Sequence, residues 1–181
     1  RFKPSHDSKD YKGRSKNGDR QPVVYVSYKD AVAFCEWVNR THGSRLGGAS
    51  VRLPDGNQWT TIADCGDGRT YPWGNNWPPS YGNYSDLTAR EQIDFTGMDG
   101  YRDGHAVTCA VEDSGRNPWG LYGVGGNAWE YTSQFRKGLS LLRGASYSSS
   151  DESELRCDHQ GVFLTVDVYL SPIGFRCVLF R

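Results

Sequence analysis

The stretch that decides the fold is WGLYGVGGNAWEY, residues 119–131. Its apolar residues follow neither a two-residue nor a 3.6-residue period, so the pattern predicts neither a strand nor a helix. Its four glycines permit positive φ angles and tight turns, while the aromatic side chains on either side need a core in which to pack. The stretch therefore predicts an irregular loop fixed beside packed aromatic rings.

The same loop carries oxygen atoms suited to a hard cation. The backbone carbonyls of Val124, Gly126 and Ala128, with the carboxylate of Glu130, are ligands of the kind that calcium prefers. A plainer interpretation is that the glycines form a close-packed turn and that Glu130 accepts hydrogen bonds from neighbouring amides. From the loop alone, both interpretations stay open.

The composition indicates one domain rich in irregular structure. A chain of 181 residues can bury a sizeable core on its own. Its 6 Trp, 11 Tyr and 7 Phe, with 22 Gly and 8 Pro, are typical of large aromatic anchors under irregular backbone. The 21 basic and 21 acidic residues balance, so nothing indicates a nucleic-acid partner. No apolar run suggests membrane insertion, and we expect further sequence upstream of Arg1.

The first third of the chain predicts an arm, a strand and two helices. Residues 1–21 are polar and basic and are expected to form an N-terminal arm or loop. The β-branched run at 22–26 predicts a strand. Ser27 is placed to cap a first helix, and a second helix begins at Asp55 or Gly56.

The remainder predicts a long irregular segment followed by short strands. Residues 66–118 read as nearly all loop, which in a compact domain is normally functional or fastened by something other than secondary structure. A short strand is expected within 107–111. Further strands are expected at 141–146, at 161–170 and at 173–180, the last with alternating apolar residues.

Seven short motifs occur along the chain between Pro22 and the C-terminus. They are Tyr25–Ala31, Arg52–Pro54 followed by Trp59, Tyr71–Asn75, Gly120–Tyr122, Gly126–Glu130, Arg143–Tyr147 and Gly174–Arg176. In this order they resemble the formylglycine-generating enzyme (sulfatase-modifying factor) family, a specific match although each motif alone is weak. The resemblance implies an α+β, C-type lectin-like fold over 22–181, with two helices, short antiparallel strands and extensive irregular loops.

The resemblance also implies two structural calcium sites. The first would consist of Asn83, the Tyr84 carbonyl, Asp99 and the Tyr101 carbonyl, and the second of the Val124, Gly126 and Ala128 carbonyls with Glu130. The second set lacks one ligand, because Gly123 stands where the family usually has asparagine. Water can replace such a ligand.

The catalytic centre of the family does not carry over. The family's enzymes use two cysteines after the Arg-Gly motif to bind copper(I) and oxidise a substrate cysteine. The corresponding positions here read Ala145 and Ser150, and a serine hydroxyl is too hard a ligand to replace a thiolate. We therefore predict no formylglycine-generating activity.

Five cysteines lie far apart, with no C-x-x-C pair. Two disulfides with one odd thiol, or five reduced core thiols, both agree with this spacing. The resemblance implies a disulfide between Cys35 and Cys177, and a similar one between Cys65 and Cys157.

The family also includes inactive paralogues and the variable proteins of diversity-generating retroelements, whose C-terminal segment displays a ligand-binding surface. Residues 147–171 lie where those proteins vary. The predicted ligand-binding residues are Tyr147, Ser148, Ser149, Asp151, Glu152, Glu154, His159, Gln160, Val162, Phe163, Leu164, Val166, Val168, Tyr169 and Leu170. The alternation from Val162 to Val168 has a second interpretation, a buried strand.

These patterns favour a non-catalytic display protein that binds a protein ligand through its C-terminal loops. Aromatic and aliphatic anchors rimmed by Ser, Asp and His suit a protein better than a sugar. Such a role places the chain at a cell surface, on a virion or in secreted form. The alternative is an oxidoreductase of the sulfatase-modifying-factor type, or an inactive paralogue of it.

Overall fold

The computed structural model describes residues 18–181, so that most of the predicted N-terminal arm, residues 1–17, lies outside the described part. The described chain contains three α-helices: α1, Tyr28–His42; α2, Gly56–Asp64; and α3, Leu87–Ile93. It also contains six short strands: β1, Ser50–Arg52; β2, Trp129–Arg136; β3, Leu139–Arg143; β4, Val162–Thr165; β5, Ile173–Phe175; and β6, Val178–Phe180. Short 3₁₀ turns lie at Gly43–Arg45 and Val111–Ser114.

The two predicted helices begin where their caps indicate. The Ser27 hydroxyl accepts from the Asp30 amide, and the Asp30 carboxylate accepts from the Ser27 amide, so α1 opens with a capping box. Asp55 and Gln58 form the same arrangement at the start of α2. In both helices the cap satisfies amides that would otherwise lack a partner.

The third helix corrects the prediction of two helices and of a structureless segment at 66–118. Asp86 caps α3 by accepting from the Ala89 amide at 2.8 Å. The helix is only seven residues long and its sequence, LTAREQI, has little apolar periodicity. Because the pattern is so short and polar, periodicity alone did not reveal it.

The strands form two sheets, and five of the six strands lie in the C-terminal half of the chain. The larger sheet has the order β4-β3-β2-β5, and a smaller pair joins β1 to β6. The pairings β2–β3, β3–β4 and β1–β6 are antiparallel, whereas β2 and β5 are parallel, with Trp129 opposite Ile173. The expectation of antiparallel strands therefore holds for three of the four pairings.

Three strand predictions were wrong in detail. Residues 22–26 form no strand, although Val24 and Val26 are buried, so the apolar run reflects burial without ladder pairing. Residues 107–111 likewise form none. The predicted strand at 173–180 divides after Phe175, so that β5 joins the large sheet and β6 joins β1.

Aromatic clusters take the place of extensive regular structure in the core. The irregular segment after α2 rests on Tyr71, Tyr84 and Tyr101, which pack with Met98, Ala145 and Leu155. A second cluster sits between α1 and the large sheet and includes Tyr131 and Leu142. No helix within residues 18–181 combines the length and apolar character needed to cross a bilayer.

Candidate ligand-binding site

The glycine-rich loop at 119–131 is a close-packed turn. A Cβ at Gly126 would lie 2.8 Å from the ring of Tyr84, so only glycine fits there. The buried Asn127 side chain fastens the loop, because its oxygen accepts from the Asn83 side chain and the Cys109 amide, both at 3.0 Å. This geometry agrees with the plainer of the two interpretations of the loop.

Glu130 is a buried carboxylate in this loop and forms an ion pair with Arg176. Its two carboxylate oxygens accept from Nε and Nη2 of Arg176 at 2.5 and 2.6 Å. One oxygen also accepts from the indole N–H of Trp59 at 2.7 Å. The pair is charge-assisted and bidentate, which is the strongest form of side-chain hydrogen bonding.

The second predicted calcium set is only partly brought together. Gly126, Ala128 and Glu130 line one cavity of about 310 Å³, together with Gly123 and Arg176. Val124 does not line it and packs against Trp59 instead. Both carboxylate oxygens of Glu130 are bound to Arg176, which neutralises their charge. The predicted ligands at this position therefore do not fit a second cation.

The first predicted calcium set divides between a buried and an exposed part. Asn83 is fully buried and its Oδ1 has no hydrogen-bond partner within residues 18–181, as expected of an oxygen left for a metal. Asp99, in contrast, has a side chain that is 90% exposed and pairs with Arg90. The Tyr101 carbonyl accepts from the Leu87 amide at the start of α3. Asp99 is therefore not buried with Asn83.

A different carboxyl, that of Asp103, lies beside the Asn83 segment. It accepts from the Tyr84 amide at 2.9 Å and from the His105 amide at 2.8 Å. Burial raises the pKa of Asp103 to about 7. Asp103 is half-buried, whereas the neighbouring Asp86 is fully buried and accepts from the Asp103 amide at 2.6 Å. The motif resemblance pointed to Asp99 and did not single out Asp103.

The predicted binding segment borders a cavity of about 330 Å³, which we call the C-terminal groove. Residues of β2, β3, β4 and β5 and of the loops between them form its walls. The lining consists of Trp129, Leu142, Ser148, Ser149, Glu154, Val162, Leu164, Leu170, Pro172 and Ile173. Six of these ten were predicted from the sequence as ligand-binding residues.

The exposure of β4 answers the question of whether the segment is core or surface. Val162 is 40% exposed, whereas Leu164 is half-buried and packs on the core. Both line the C-terminal groove. Phe163 points to the other face and lines a separate cavity. The strand is neither fully buried nor fully exposed, because it is the edge of the sheet.

The other predicted binding residues lie outside the groove. The Tyr147 side chain is buried and its hydroxyl lies 3.0 Å from that of Ser171. Glu152 accepts from the Tyr71 hydroxyl, and Asp151 accepts from Ser153 at 2.6 Å. Tyr169 is exposed and lies on Tyr25 with ring centroids 5.9 Å apart.

Four half-buried or exposed residues complete this set. The His159 ring lies 6.2 Å from that of Trp129, while Gln160 lines the cavity that contains Phe163. Val166 and Val168 are half-buried beyond the end of β4. The predicted residues therefore share a region of the molecule, but the fold distributes them over two cavities and the intervening surface.

Four groove residues were missed, namely Trp129, Leu142, Pro172 and Ile173. They lie on both sides of the segment 147–171, and only Trp129 belongs to one of the seven motifs. Parallel pairing of β5 with β2 brings Ile173 opposite Trp129. Because β2 and β5 are far apart in sequence, their parallel pairing leaves no local pattern from which it could be predicted.

The two positions that correspond to the family's copper ligands differ in burial. Ala145 is completely buried within the aromatic cluster of Tyr71 and Tyr84, and Ser150 is half-exposed. The groove lining contains no cysteine. Within residues 18–181, no three His, Cys, Asp or Glu side chains are grouped to hold a metal.

All five cysteines are free thiols in this structure. The Sγ atoms of Cys35 and Cys177 lie 3.6 Å apart. The contact between the two thiols lowers the pKa of Cys35. Cys65 and Cys157 are both buried, and the two disulfides stay predictions.

Comparison with known proteins places these features in a family. The family described as "Sulfatase-modifying factor enzyme 1-like domain" matches residues 2–180. The formylglycine-generating enzyme of Bos taurus is 35% identical over 181 residues, covering 86% of this chain and 43% of that protein. The inactive Cα-formylglycine-generating enzyme 2 of Bos taurus is 33% identical over 167 residues, covering 86% and 49%. The chain thus spans less than half the length of these relatives.

A solved structure confirms the predicted fold class. Treponema denticola variable protein 1 superposes with a TM-score of 0.70, covering 95% of this chain and 74% of its own, at 18% identity. At that identity the likeness shows the fold alone. The α+β, C-type lectin-like architecture predicted from the motifs is confirmed, with three helices instead of two.

Proposed function

The chain belongs to the sulfatase-modifying factor enzyme 1-like domain family, and from that premise we propose that it is a non-catalytic display protein that binds a protein ligand in the C-terminal groove. The observation that carries the proposal is the convergence of six predicted binding residues on one cavity of about 330 Å³. Its outer wall offers exposed apolar side chains at Val162 and Leu170. Its inner wall is the packed sheet, which holds the surface rigid.

The chemistry of the groove suits a peptide segment of a protein better than a reactive centre. Apolar walls from Trp129, Leu164 and Leu170 meet hydroxyl groups of Ser148 and Ser149 and one carboxylate, Glu154. Apolar anchors beside a few polar groups are the usual composition of an interface core. The Ala145 and Ser150 positions support the absence of copper-dependent oxidation, because neither side chain is a thiolate.

The role of a retroelement variable protein is a finer part of this proposal. It is supported by the fold likeness to a variable protein and by the location of residues 147–171 around the groove. The gene should then lie near a reverse transcriptase and a near-copy of its 3′ end that differs almost only at adenines. If no such repeat accompanies the gene, the chain would be a binding module of another origin.

Peptide selection tests the groove directly. We expect a library of random peptides, selected on the immobilised chain, to yield binders with aromatic or aliphatic anchors. Leu170→Asp, which charges the groove wall, should weaken these binders at least ~10-fold, since a charged side chain in an apolar pocket costs well over 1 kcal/mol. Leu179→Asp on β6 is the matched control, because Leu179 is 66% exposed and does not line the groove.

Equal loss of binding in both variants, or no loss in either, would place the interaction elsewhere.

The alternative function, an oxidoreductase of the sulfatase-modifying-factor type, is supported by the 35% identity to an active enzyme. Stoichiometric copper or iron in the purified protein, detected by elemental analysis, would favour that alternative.

We also propose that a structural calcium ion binds at Asn83. The unpartnered, buried Oδ1 of Asn83 fits a hard cation. The negative charge of this site would come from the half-buried Asp103 beside Tyr84 rather than from the exposed Asp99. A bound calcium ion would stabilise the ionised form of the Asp103 carboxyl, which desolvation disfavours.

Calcium should raise the melting temperature of the chain. At a hundredfold excess over Kd, linkage gives about 2.7 kcal/mol, or roughly 5–10 °C for a chain of this size. Asp103→Asn should abolish the shift, whereas Asp99→Asn should leave it intact. An unchanged melting curve on adding calcium or chelator would remove the calcium proposal but not the groove.

A further inference from the structure

Arg143 is a buried cation to which no carboxylate of residues 18–181 is hydrogen-bonded. It lies on β3 with only 6% of its surface exposed. Its guanidinium donates to the Thr60 hydroxyl, to the His159 carbonyl and, at 3.4 Å, to the Gly56 carbonyl. These acceptors are all neutral, and the Nε atom has no acceptor within residues 18–181.

The acidic residues around Arg143 have other partners. Glu130, directly opposite Arg143 in the β2–β3 ladder, is bound to Arg176. Asp158 pairs with Arg156 through two contacts of 2.8 Å and acts on Arg143 only at longer range. The indole ring of Trp59 lies 5.7 Å from the guanidinium carbon and offers only a quadrupole. Arginine stays protonated at neutral pH, so its charge has no hydrogen-bonded carboxylate within residues 18–181.

Leaving a buried charge unpaired is unfavourable by several kcal/mol, and proteins normally meet it with an anion. Burial lowers the pKa of Arg143, which has the sign expected of such a cation. The Thr60 hydroxyl accepts a hydrogen bond but carries no charge. Some other group is therefore needed to complete the electrostatics of this position.

A cavity of about 310 Å³ opens onto Arg143, and we call it the basic pocket. Its polar lining consists of Arg136, Arg143, Asn57, Gln134 and Gln160, against an apolar wall that includes Phe163. Neither Asp nor Glu lines it. Two guanidinium groups and three amides can donate to oxygen atoms, and no group in the lining would repel a negative charge.

The start of α2 also borders the basic pocket. Gly56 and Asn57, the first two residues of α2, line it. The Asp55 carboxylate already caps this end of the helix. The preference of the pocket for an anion therefore comes from the buried guanidinium of Arg143 and not from the helix dipole.

We propose that the basic pocket binds a small oxyanion, a carboxylate, sulfate or phosphate group, which supplies the counter-charge that Arg143 lacks. The site is separate from the C-terminal groove, because Phe163 and Val162 point to opposite faces of β4. Its volume suits a small anion or the anionic end of a longer ligand. The proposal does not depend on the function assigned to the groove.

The test uses the whole chain and three simple anions at matched ionic strength. Acetate, sulfate and phosphate are titrated against a chloride control while the side-chain amide signals of Asn57, Gln134 and Gln160 are followed by NMR. We expect saturable shifts with at least one of the three anions. Acetate alone would identify a carboxylate site, and sulfate or phosphate alone a tetrahedral oxyanion site.

Thr60→Glu is the decisive variant, because it places a carboxylate next to Arg143 from within the chain. The introduced carboxylate should form an ion pair with the Arg143 guanidinium and so raise the melting temperature. Because it competes with the external anion, it should also weaken anion binding at least ~10-fold. Thr60→Val, of similar size and without charge, should keep the anion response. Arg136→Gln, at an exposed position, should weaken binding several-fold without unfolding the chain.

Two results would overturn the proposal. One is that no anion shifts these amide signals beyond the chloride control. The other is that Thr60→Glu binds the anion as tightly as the parent chain, which would mean that Arg143 takes no part in the site.

Discussion

Glu130→Gln is expected to lower the free energy of unfolding by about 3 kcal/mol, because it leaves the Arg176 guanidinium without its buried counter-ion. Glu130 is 6% exposed and holds Arg176 through two short contacts. The substitution keeps the size of the side chain and an acceptor for Trp59, so the loss measures charge more than packing. Urea denaturation should show a lower midpoint, with a melting temperature lower by roughly 10 °C.

Asp167→Asn is the matched control for this loss of charge. Asp167 pairs with Lys29 at 2.7 Å, but both side chains are about two-thirds exposed. Such exposed pairs contribute about 0–1 kcal/mol. If Glu130→Gln lowered the free energy of unfolding no more than Asp167→Asn does, the buried Glu130–Arg176 pair would not contribute to holding the glycine-rich loop in place. The double variant Glu130→Gln/Arg176→Gln should recover part of the stability, because no unpaired charge then remains.

Gly161→Ala is expected to destabilise the chain by roughly 3 kcal/mol through two separate effects. The residue has a φ of +76°, which disfavours any side chain, and a Cβ there would clash with the carbonyl oxygen of Leu142. Since Gly161 directly precedes β4, the clash should push this strand away from β3. Urea denaturation should report the loss of stability, and peptide binding to the C-terminal groove should weaken with it.

Gly138→Ala separates the two effects. Gly138 lies in the turn between β2 and β3 with a φ of +80° and has open space around the added Cβ. It should therefore show only the backbone cost, about 1 kcal/mol. Equal losses at both positions would mean that β4 accommodates the extra methyl group and that the Leu142 carbonyl is not a rigid boundary.

The candidate site was predicted in part. Ser148, Ser149 and Glu154 were assigned to binding from their place in the chain, and the structure puts all three on the C-terminal groove. Phe163 and Gln160 were assigned to the same surface, yet they line the basic pocket. Strand alternation at Val162 and Phe163 separates them, but the sequence did not say which face of the strand would carry the groove.

The predicted metal ligands are likewise separated in the structure. Carrying ligands over from motifs placed Asp99 beside Asn83, but Asp99 turns outward to Arg90. The second set included Glu130, whose partner in the structure is Arg176. Arg176 lies 46 residues away from it along the chain, and no local pattern links the two. Buried ion pairs form wherever the fold brings charges together, so spacing in the sequence does not reveal them.

The sequence by itself determined the family, the fold class and the two capped helices, because caps, glycine turns and aromatic motifs act over a few residues and leave a local pattern. Tertiary structure alone decided the parallel β2–β5 contact, the pairing of Glu130 with Arg176, and the lack of a hydrogen-bond partner for the buried Nε of Arg143 within residues 18–181. These depend on charges and strands that are distant in sequence and on how deeply each becomes buried. The energy of a charge is set by its solvent and its neighbours, and both exist only after the chain has folded.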